Sequence, residues 1–204
     1  MVEIISRDDG LLHFGCESPR PRDVAAVGRE ARIFGRSVLL DHFVLTLPDA
    51  GRLRSFAENI VRLGGRVVEG PGLWPFDFCA DGDAFPDDLQ MHFASVLLTT
   101  GCVVVLAAPH VDGDQLSRFR ARRGAGGVHH VAVRVEETER TRRSWRALDF
   151  SPLSGLLDDG QLVQQFLSNS KGQILELISR RGAGSATFSC ANLAGLRRSE
   201  GGGK

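Results

Sequence analysis

The stretch Gly127-Val128-His129-His130-Val131-Ala132-Val133-Arg134-Val135 decides how this chain is read. Valine recurs in it, apolar residues dominate and glycines precede it, so it reads as a strand. Yet His130 sits inside the apolar run. A similar run comes earlier, Leu39-Leu40-Asp41-His42-Phe43-Val44-Leu45, and its His42 lies 88 residues before His130. A third run, Ile174-Leu175-Glu176-Leu177-Ile178, holds one carboxylate among four aliphatic residues. Two imidazoles and a carboxylate, each planted in a hydrophobic strand, are the unusual feature of the sequence.

Around these runs the elements repeat. The first half reads as a strand over 37–47, a turn at Pro48-Asp49-Ala50-Gly51, and a helix carrying Leu53, Phe56, Ala57, Ile60, Val61 and Leu63 on one stripe. A short strand at Val67-Val68, broken by Gly70-Pro71-Gly72, follows, then a loop over 73–90 and a hairpin of strands 92–98 and 102–107. A connecting helix is expected over 114–123. The second half has the His130 strand, a helix over 138–148 with Trp145 and Leu148 on one side, a short strand at 150–153, and a hairpin of strands 161–168 and 173–179. Each half is therefore strand, helix, then three strands, which is duplication of one unit. Before it, residues 1–36 form a leader, with a strand at 2–6 and a helix over 23–33 capped by Asp23. After it, residues 181–204 hold a last helix and a frayed tail.

Composition narrows the function. The 204 residues suffice for one domain or two small ones, and 25 basic against 25 acidic residues leave no net charge. Neither nucleic acid nor an anionic membrane surface is therefore an expected partner. No apolar run is long enough to span a bilayer, and the opening residues lack a secretory apolar core, so a cytoplasmic location is expected. Cys16, Cys79, Cys102 and Cys190 are scattered without paired spacing, and are expected to be free thiols.

A strand shows alternate side chains on one face. His42 then shares a face with Leu40 and Val44, His130 with Ala132 and Arg134, and Glu176 with Ile174 and Ile178. A buried, unpaired carboxylate costs several kcal/mol, roughly, unless it is paired or ligated. Two His and one carboxylate with open positions is the arrangement of non-haem Fe(II) oxygenases, so a shared metal ion is one reading of His42, His130 and Glu176; hydrogen-bonded core histidines, with Glu176 facing solvent or pairing with Arg134, are the other.

At these residues the chain resembles the vicinal oxygen chelate superfamily. The likeness implies an α+β fold: two tandem βαβββ modules forming a curved mixed β-sheet cup around a metal site, with helices outside. The modules would be 37–113 and 114–180, the second including the linker helix, and the last helix in 181–204 would gate the cup. Within the superfamily, lyases and isomerases such as methylmalonyl-CoA epimerase use a fourth protein ligand, where this chain aligns Val105. The likeness is greater to the catalytic half of 4-hydroxyphenylpyruvate dioxygenase. Leu162-Val163-Gln164-Gln165-Phe166 resembles that family's Leu-Leu-Gln-Ile-Phe, and Leu175-Glu176-Leu177-Ile178-Ser179-Arg180 its Phe-Glu-Ile-Ile-Gln-Arg. Thr187-Phe188-Ser189-Cys190-Ala191-Asn192-Leu193 resembles its Gly-Phe-Gly-x-Gly-Asn-Phe, though the glycines beside Phe188 are gone. Its Pro-Leu-Asn-Glu is replaced near Ala107-Ala108-Pro109-His110.

The resemblance implies an Fe(II)-dependent dioxygenase acting with O2 on a small 2-oxo acid or related aromatic substrate. In it Gln164 bonds substrate, Phe188 covers it and Ser95 stands at a substrate-contacting place. One alternative is a redox-neutral lyase or epimerase using Mg2+, Mn2+, Co2+ or Zn2+, with His129, His92 or His110 as base. Another is a metal-free binding protein holding a planar ligand among Trp74, Phe76 and Phe78. A homodimer is the assembly allowed for.

Overall fold

A computed structural model describes residues 4–6, 12–14, 20–80, 85–123, 127–181, 188 and 190–201. Its elements, in chain order, are β1 (Ile4–Ser6), β2 (Leu12–Phe14), α1 (Pro21–Ala25), β3 (Glu30–Ile33), β4 (Arg36–Thr46), α2 (Ala50–Arg62), β5 (Arg66–Trp74), β6 (Met91–Leu97) and β7 (Val103–Pro109). There follow α3 (Gln115–Arg123), β8 (Val128–Arg134), α4 (Thr138–Trp145), β9 (Ser151–Pro152), β10 (Leu157–Asp158), β11 (Leu162–Ser168), β12 (Ile174–Arg180) and α5 (Cys190–Gly201).

The main sheet runs β10-β11-β12-β8-β4-β7-β6-β5. β4 pairs antiparallel with β8 at its centre, and each pairs parallel with the last strand of its own module, β7 or β12. Each module ends in an antiparallel hairpin, β6–β7 or β11–β12. The expected pair of βαβββ units is thus present, joined through their first strands. Asp49 caps α2 by accepting from the Arg52 amide at 2.8 Å, which satisfies one of the helix's unpaired donors.

Alternation along the strands divides the sheet into two faces. Phe43, Leu45, Val104, Leu106, Val131, Val133, Leu175 and Leu177 pack with Leu53, Ala57 and Ile60 of α2 and with Trp145 of α4. That face is the main core, with helices outside as expected. Val44, Phe93, Val103, Val105 and Ala107 face the other way, into the cup. Helices also meet this face: Leu116 of α3 and Ala194 of α5 join the cup cluster.

Three expectations are corrected. First, the helix over 23–33 is only Pro21–Ala25, and Asp23 lies at its third position, accepting from the Arg20 amide at 3.0 Å. The following residues form β3 against β4, because Ala31 and Ile33 are buried while Glu30 and Arg32 are exposed. The apolar spacing that suggested one helix belongs to two elements. Second, the strand at Val67-Val68 does not stop at Gly70. β5 continues through Gly70-Pro71-Gly72 to Trp74, with irregular register against β6 at Glu69. Third, Cys79 and Cys190 form a disulfide across 111 residues, so they are not free thiols. No local spacing signals a pairing at that distance. Cys102 is free and buried. Cys16, Val2 and the tail from 202 lie outside the described residues, as do Thr187 and Ser189. No helix among the described residues is long and apolar enough to cross a membrane.

Gly70 shows why β5 can pass this point. Its φ is +73°, and a Cβ there would lie 2.5 Å from the Phe93 carbonyl oxygen, which is backbone and has no rotamer with which to yield. Gly70→Ala is expected to lower stability by about 2 kcal/mol or more in urea unfolding. Gly155→Ala, where a Cβ meets nothing within 4 Å, should stay within about 0.5 kcal/mol of the parent.

Candidate metal centre

The pairing of β4 with β8 places the site. Its register is Leu40 opposite Val133, His42 opposite Ala132, Phe43 opposite Val131, Val44 opposite His130 and Leu45 opposite Val128. Asp41 and His129 are the extra residues at its two irregular steps. Adding 88 to the β4 numbers and subtracting 88 from the β8 numbers exchanges four of these pairs two by two and returns Phe43–Val131 to itself, so the two bulges are equivalent under a twofold axis through Phe43 and Val131. A bulge puts an extra residue into one strand and re-aims its side chains. Leu40 consequently packs on the helix side with Phe43, and does not share the face of His42 as simple alternation implied.

The two imidazoles meet Glu176 inside the cup. His42 Nε2 is 3.0 Å from Glu176 Oε2, and His130 Nε2 is 3.5 Å from the same oxygen. The candidate ligand atoms all lie within 4.8 Å of one another, and each side chain is buried. β12 delivers Glu176 because it runs parallel to β8, with Ile174 beside His130 and Glu176 beside Ala132. These three form the one such group among the described residues.

The bulge residues hold the other ring nitrogens. Asp41 Oδ1 is 3.1 Å from His42 Nδ1, and His129 Nδ1 is 2.9 Å from His130 Nδ1. A ligand imidazole whose Nδ1 is engaged this way is fixed in orientation and keeps Nε2 for a metal. Asp41 accepts a further pair of bonds from Arg180, from Nε at 2.9 Å and from Nη2 at 2.8 Å. This buried, two-point ion pair ties the start of the cup to the end of β12.

The remaining predicted site residues have different places. Gln164 lines the cavity and its Nε2 donates to the Asn192 carbonyl at 3.2 Å. Phe188 also lines it, with its ring 4.7 Å from that of His42. Ser95 is fully buried beyond the cavity wall, donating to Glu69 Oε2 at 3.3 Å, and Glu69 in turn accepts from the Phe188 amide. Val105, Phe166, Leu116 and Leu196 supply apolar wall, Asn192 and Arg197 of α5 further lining. The cavity is about 30 Å³, room for an ion or a water but not for an organic substrate. Asp41, Arg180, Glu69 and Asn192 are not singled out by the sequence. Only Asp41 carries a local signal, a carboxylate next to a histidine in an apolar strand.

Charge at the centre is strongly coupled. Burial disfavours the His42 imidazolium, but Glu176 and Asp41 outweigh it and raise its pKa to about 9. Burial pushes Glu176 up, yet the two histidines bring it down to about 2. His130 is pushed down, chiefly by burial. Asp41 lies well below its usual value: burial opposes this, and bonds from His42 and Arg180 prevail. A raised folded-state pKa makes the His42 contribution to stability complete below about 6.5, and it is lost as pH rises toward 9. In metal-free protein, melting temperature is therefore expected to fall between pH 7 and 9, and that slope should flatten in His42→Gln, as followed by circular dichroism.

The chain has no matching family model and no matching curated protein. Its fold is found among solved structures. A triply substituted 4-hydroxymandelate synthase from Streptomyces coelicolor superposes with a TM-score of 0.58 at 21% identity, over 82% of this chain and 54% of that one. This chain thus spans about half the length of that relative. A hypothetical protein from Bacillus halodurans superposes with a TM-score of 0.50 at 15% identity, over 74% of this chain and 99% of that one. Methylmalonyl-CoA epimerase from Mycobacterium tuberculosis gives 0.49 at 19% identity, over 70% of this chain and 88% of that one. With paired modules joined through β4 and β8, and a cup on one face of their sheet, the chain has the vicinal oxygen chelate fold.

Proposed function

We propose that the chain is an Fe(II)-dependent dioxygenase of the two-histidine, one-carboxylate kind, acting on a small 2-oxo acid. The observation that carries this reading is an asymmetry in the cup. β4 and β7 pair with Val44 beside Val105, as β8 and β12 pair with Ala132 beside Glu176. Val105 is thus the symmetry mate of Glu176, and it lines the same cavity. Three of four equivalent places bear a ligand and the fourth is apolar, which leaves open positions on the cavity side.

The donor set suits a divalent cation: two imidazole nitrogens, one oxygen of a carboxylate held ionised, and Nδ1 atoms already occupied by neighbours. Bound iron would supply activation of O2 and chelation of the 2-oxo group. Charge favours an anionic substrate. Glu176 and a protonated His42 balance; a dication in place of that proton leaves one positive charge in an apolar cavity. A substrate carboxylate neutralises it. Gln164 then offers its amide to the substrate, Phe166 and Phe188 flank it, and the apolar walls exclude water. Arg180 and Asp41 hold His42 in place without facing the reacting atoms.

Anaerobically prepared protein is expected to bind one Fe(II) per chain and to consume O2 with a member of a 2-oxo acid panel. Equal turnover with Mg2+ and no oxygen uptake would favour the lyase or epimerase reading. Absence of metal binding, unchanged in His42→Ala, would favour the metal-free one. Asp41→Asn should weaken Fe(II) affinity about 10- to 100-fold, read by chelator competition, because an uncharged amide holds the His42 Nδ1–H and the Arg180 guanidinium less firmly than the carboxylate. Val105→Glu should keep or tighten metal binding while suppressing oxygen uptake, because it fills the fourth place.

A further inference from the structure

We propose that the Cys79–Cys190 pair is a reducible site whose state sets access to the cup: bridged, it holds α5 shut over His42 and His130; reduced, it lets the helix lift. The proposal does not depend on which metal, if any, the centre holds.

Four observations combine. The first is closure. Phe188 and, from α5, Asn192, Leu193 and Leu196 form one wall of the cavity. The space left is about 30 Å³, too little for an organic substrate to sit beside the candidate ligands while this wall stays where it is. The second is position. The disulfide fixes the first residue of α5 to the segment just after β5, two residues beyond Phe188 and at the end of the helix that lies over the ligands. Cys190 Sγ also lies 3.4 Å from the Phe78 carbonyl oxygen. The third is the nature of the other contacts holding this wall. They are non-covalent: hydrogen bonds of Gln164 to the Asn192 carbonyl at 3.2 Å, Asn192 to Asp159 at 2.8 Å, Gln115 to the Arg197 carbonyl at 3.2 Å, Arg197 to the Leu89 carbonyl at 2.9 Å and, at 3.5 Å, to those of Asp88 and Gln90, and the Phe188 amide to Glu69, with apolar packing of Ala194 and Leu196 and the Arg180 guanidinium over Phe188. Each is modest on its own, and a helix terminus opens more readily than the sheet beneath it. The bridge is the covalent contact among them. The fourth is reach. Both cysteines are partly exposed, whereas Cys102 is wholly buried and its thiol is pushed up to about 12, so a reductant meets the bridge and leaves Cys102 inert.

The step balances as ordinary thiol–disulfide exchange. A soluble dithiol attacks one sulfur and the Cys79–Cys190 bond breaks. The mixed disulfide is then resolved by the reductant's second thiol. The two cysteines take up two protons and two electrons, and the dithiol leaves as its own disulfide.

The test measures access directly. Purified full chain is treated with diethylpyrocarbonate in the bridged form, after dithiothreitol, and as the Cys79→Ser/Cys190→Ser double variant. Modification of each histidine is followed by peptide mass spectrometry, with hydrogen exchange of the α5 amides alongside. In the bridged form His130, the imidazole kept neutral, should be protected. Reduction and the double variant should each speed its modification by about tenfold or more and raise exchange in α5. The rate at the partly exposed His92 should stay unchanged. Equal protection of His130 and equal α5 exchange in all three forms, with mass confirming reduction, would overturn the proposal and leave the bridge as a structural clip. So would acceleration at every histidine with loss of circular dichroism, which reports general unfolding. Because the readout needs no metal, it stands apart from the dioxygenase reading: a chain that binds no iron can still pass it, and an active dioxygenase can still fail it.

Discussion

The structure depends on how β4 and β8 pair. A regular antiparallel ladder would send Asp41 and His42 to opposite faces, and likewise His129 and His130. Each bulge breaks that alternation once, at equivalent points of the two modules. Two neighbouring polar residues can then cooperate on the cup side, one aiming Nε2 at Glu176 and the other bonding Nδ1 from behind. Each module thereby brings both its candidate ligand and that ligand's support from one short stretch of chain. The long-range requirement reduces to joining two strands in one register, and the main core achieves this by packing Phe43 and Val131 under the helices.

Burying this much polarity in an apolar cup is stable only if charges cancel locally. Asp41 and Arg180 cancel through two short bonds, and Glu176 is matched by the proton that His42 retains. Removing one partner would strand the other in low dielectric, which is the costly case for buried ions. Arg180 also acts on the cover of the cup. Its guanidinium lies 5.5 Å from the Phe188 ring centre, so the same cation that anchors Asp41 supports the aromatic covering His42. Glu69 continues the chain of contacts from Ser95 to the Phe188 amide. Ser95 thus bears on the centre through the covering segment, not through the cavity.

Much of this is legible in the residues. Helix and hairpin boundaries follow from periodicity and turn residues, and the duplication follows from the matched spacing of His42 and His130. The convergence of both histidines with Glu176 is expected from the resemblance to a two-module cup, and it arises in one sheet whose halves join through β4 and β8. Register is where local reading stops. Parity alone puts Leu40 on the His42 face, since nothing in Leu40-Asp41-His42 announces a bulge that exists only against a partner strand. For the same reason parity turns Asp41 away from His42, though it is buried against that histidine and on Arg180, 139 residues away. The leader misleads because two elements happen to share one apolar spacing. The disulfide is beyond reach because its halves become neighbours only after α5 folds back across the cup.

The departure from symmetry is the more informative half of the design. Duplicating a module that carried a histidine on its first strand and a carboxylate on its last would give four ligands, two from each. Here the second module keeps both and the first keeps only His42, with Val105 where the second carboxylate would stand. A centre built for charge alone would gain by filling that place, because a second carboxylate would neutralise a dication in the absence of substrate. Valine does the opposite: a cation held by His42, His130 and Glu176 would stay undercharged on the side of Gln164, Phe166 and Phe188. On the proposed reading, an anionic chelating substrate would supply the missing charge and the missing ligand. α5 covers that side with Asn192, Leu193 and Leu196, and the Cys79–Cys190 bond fixes its first residue, which is the geometry on which the proposed control of access rests.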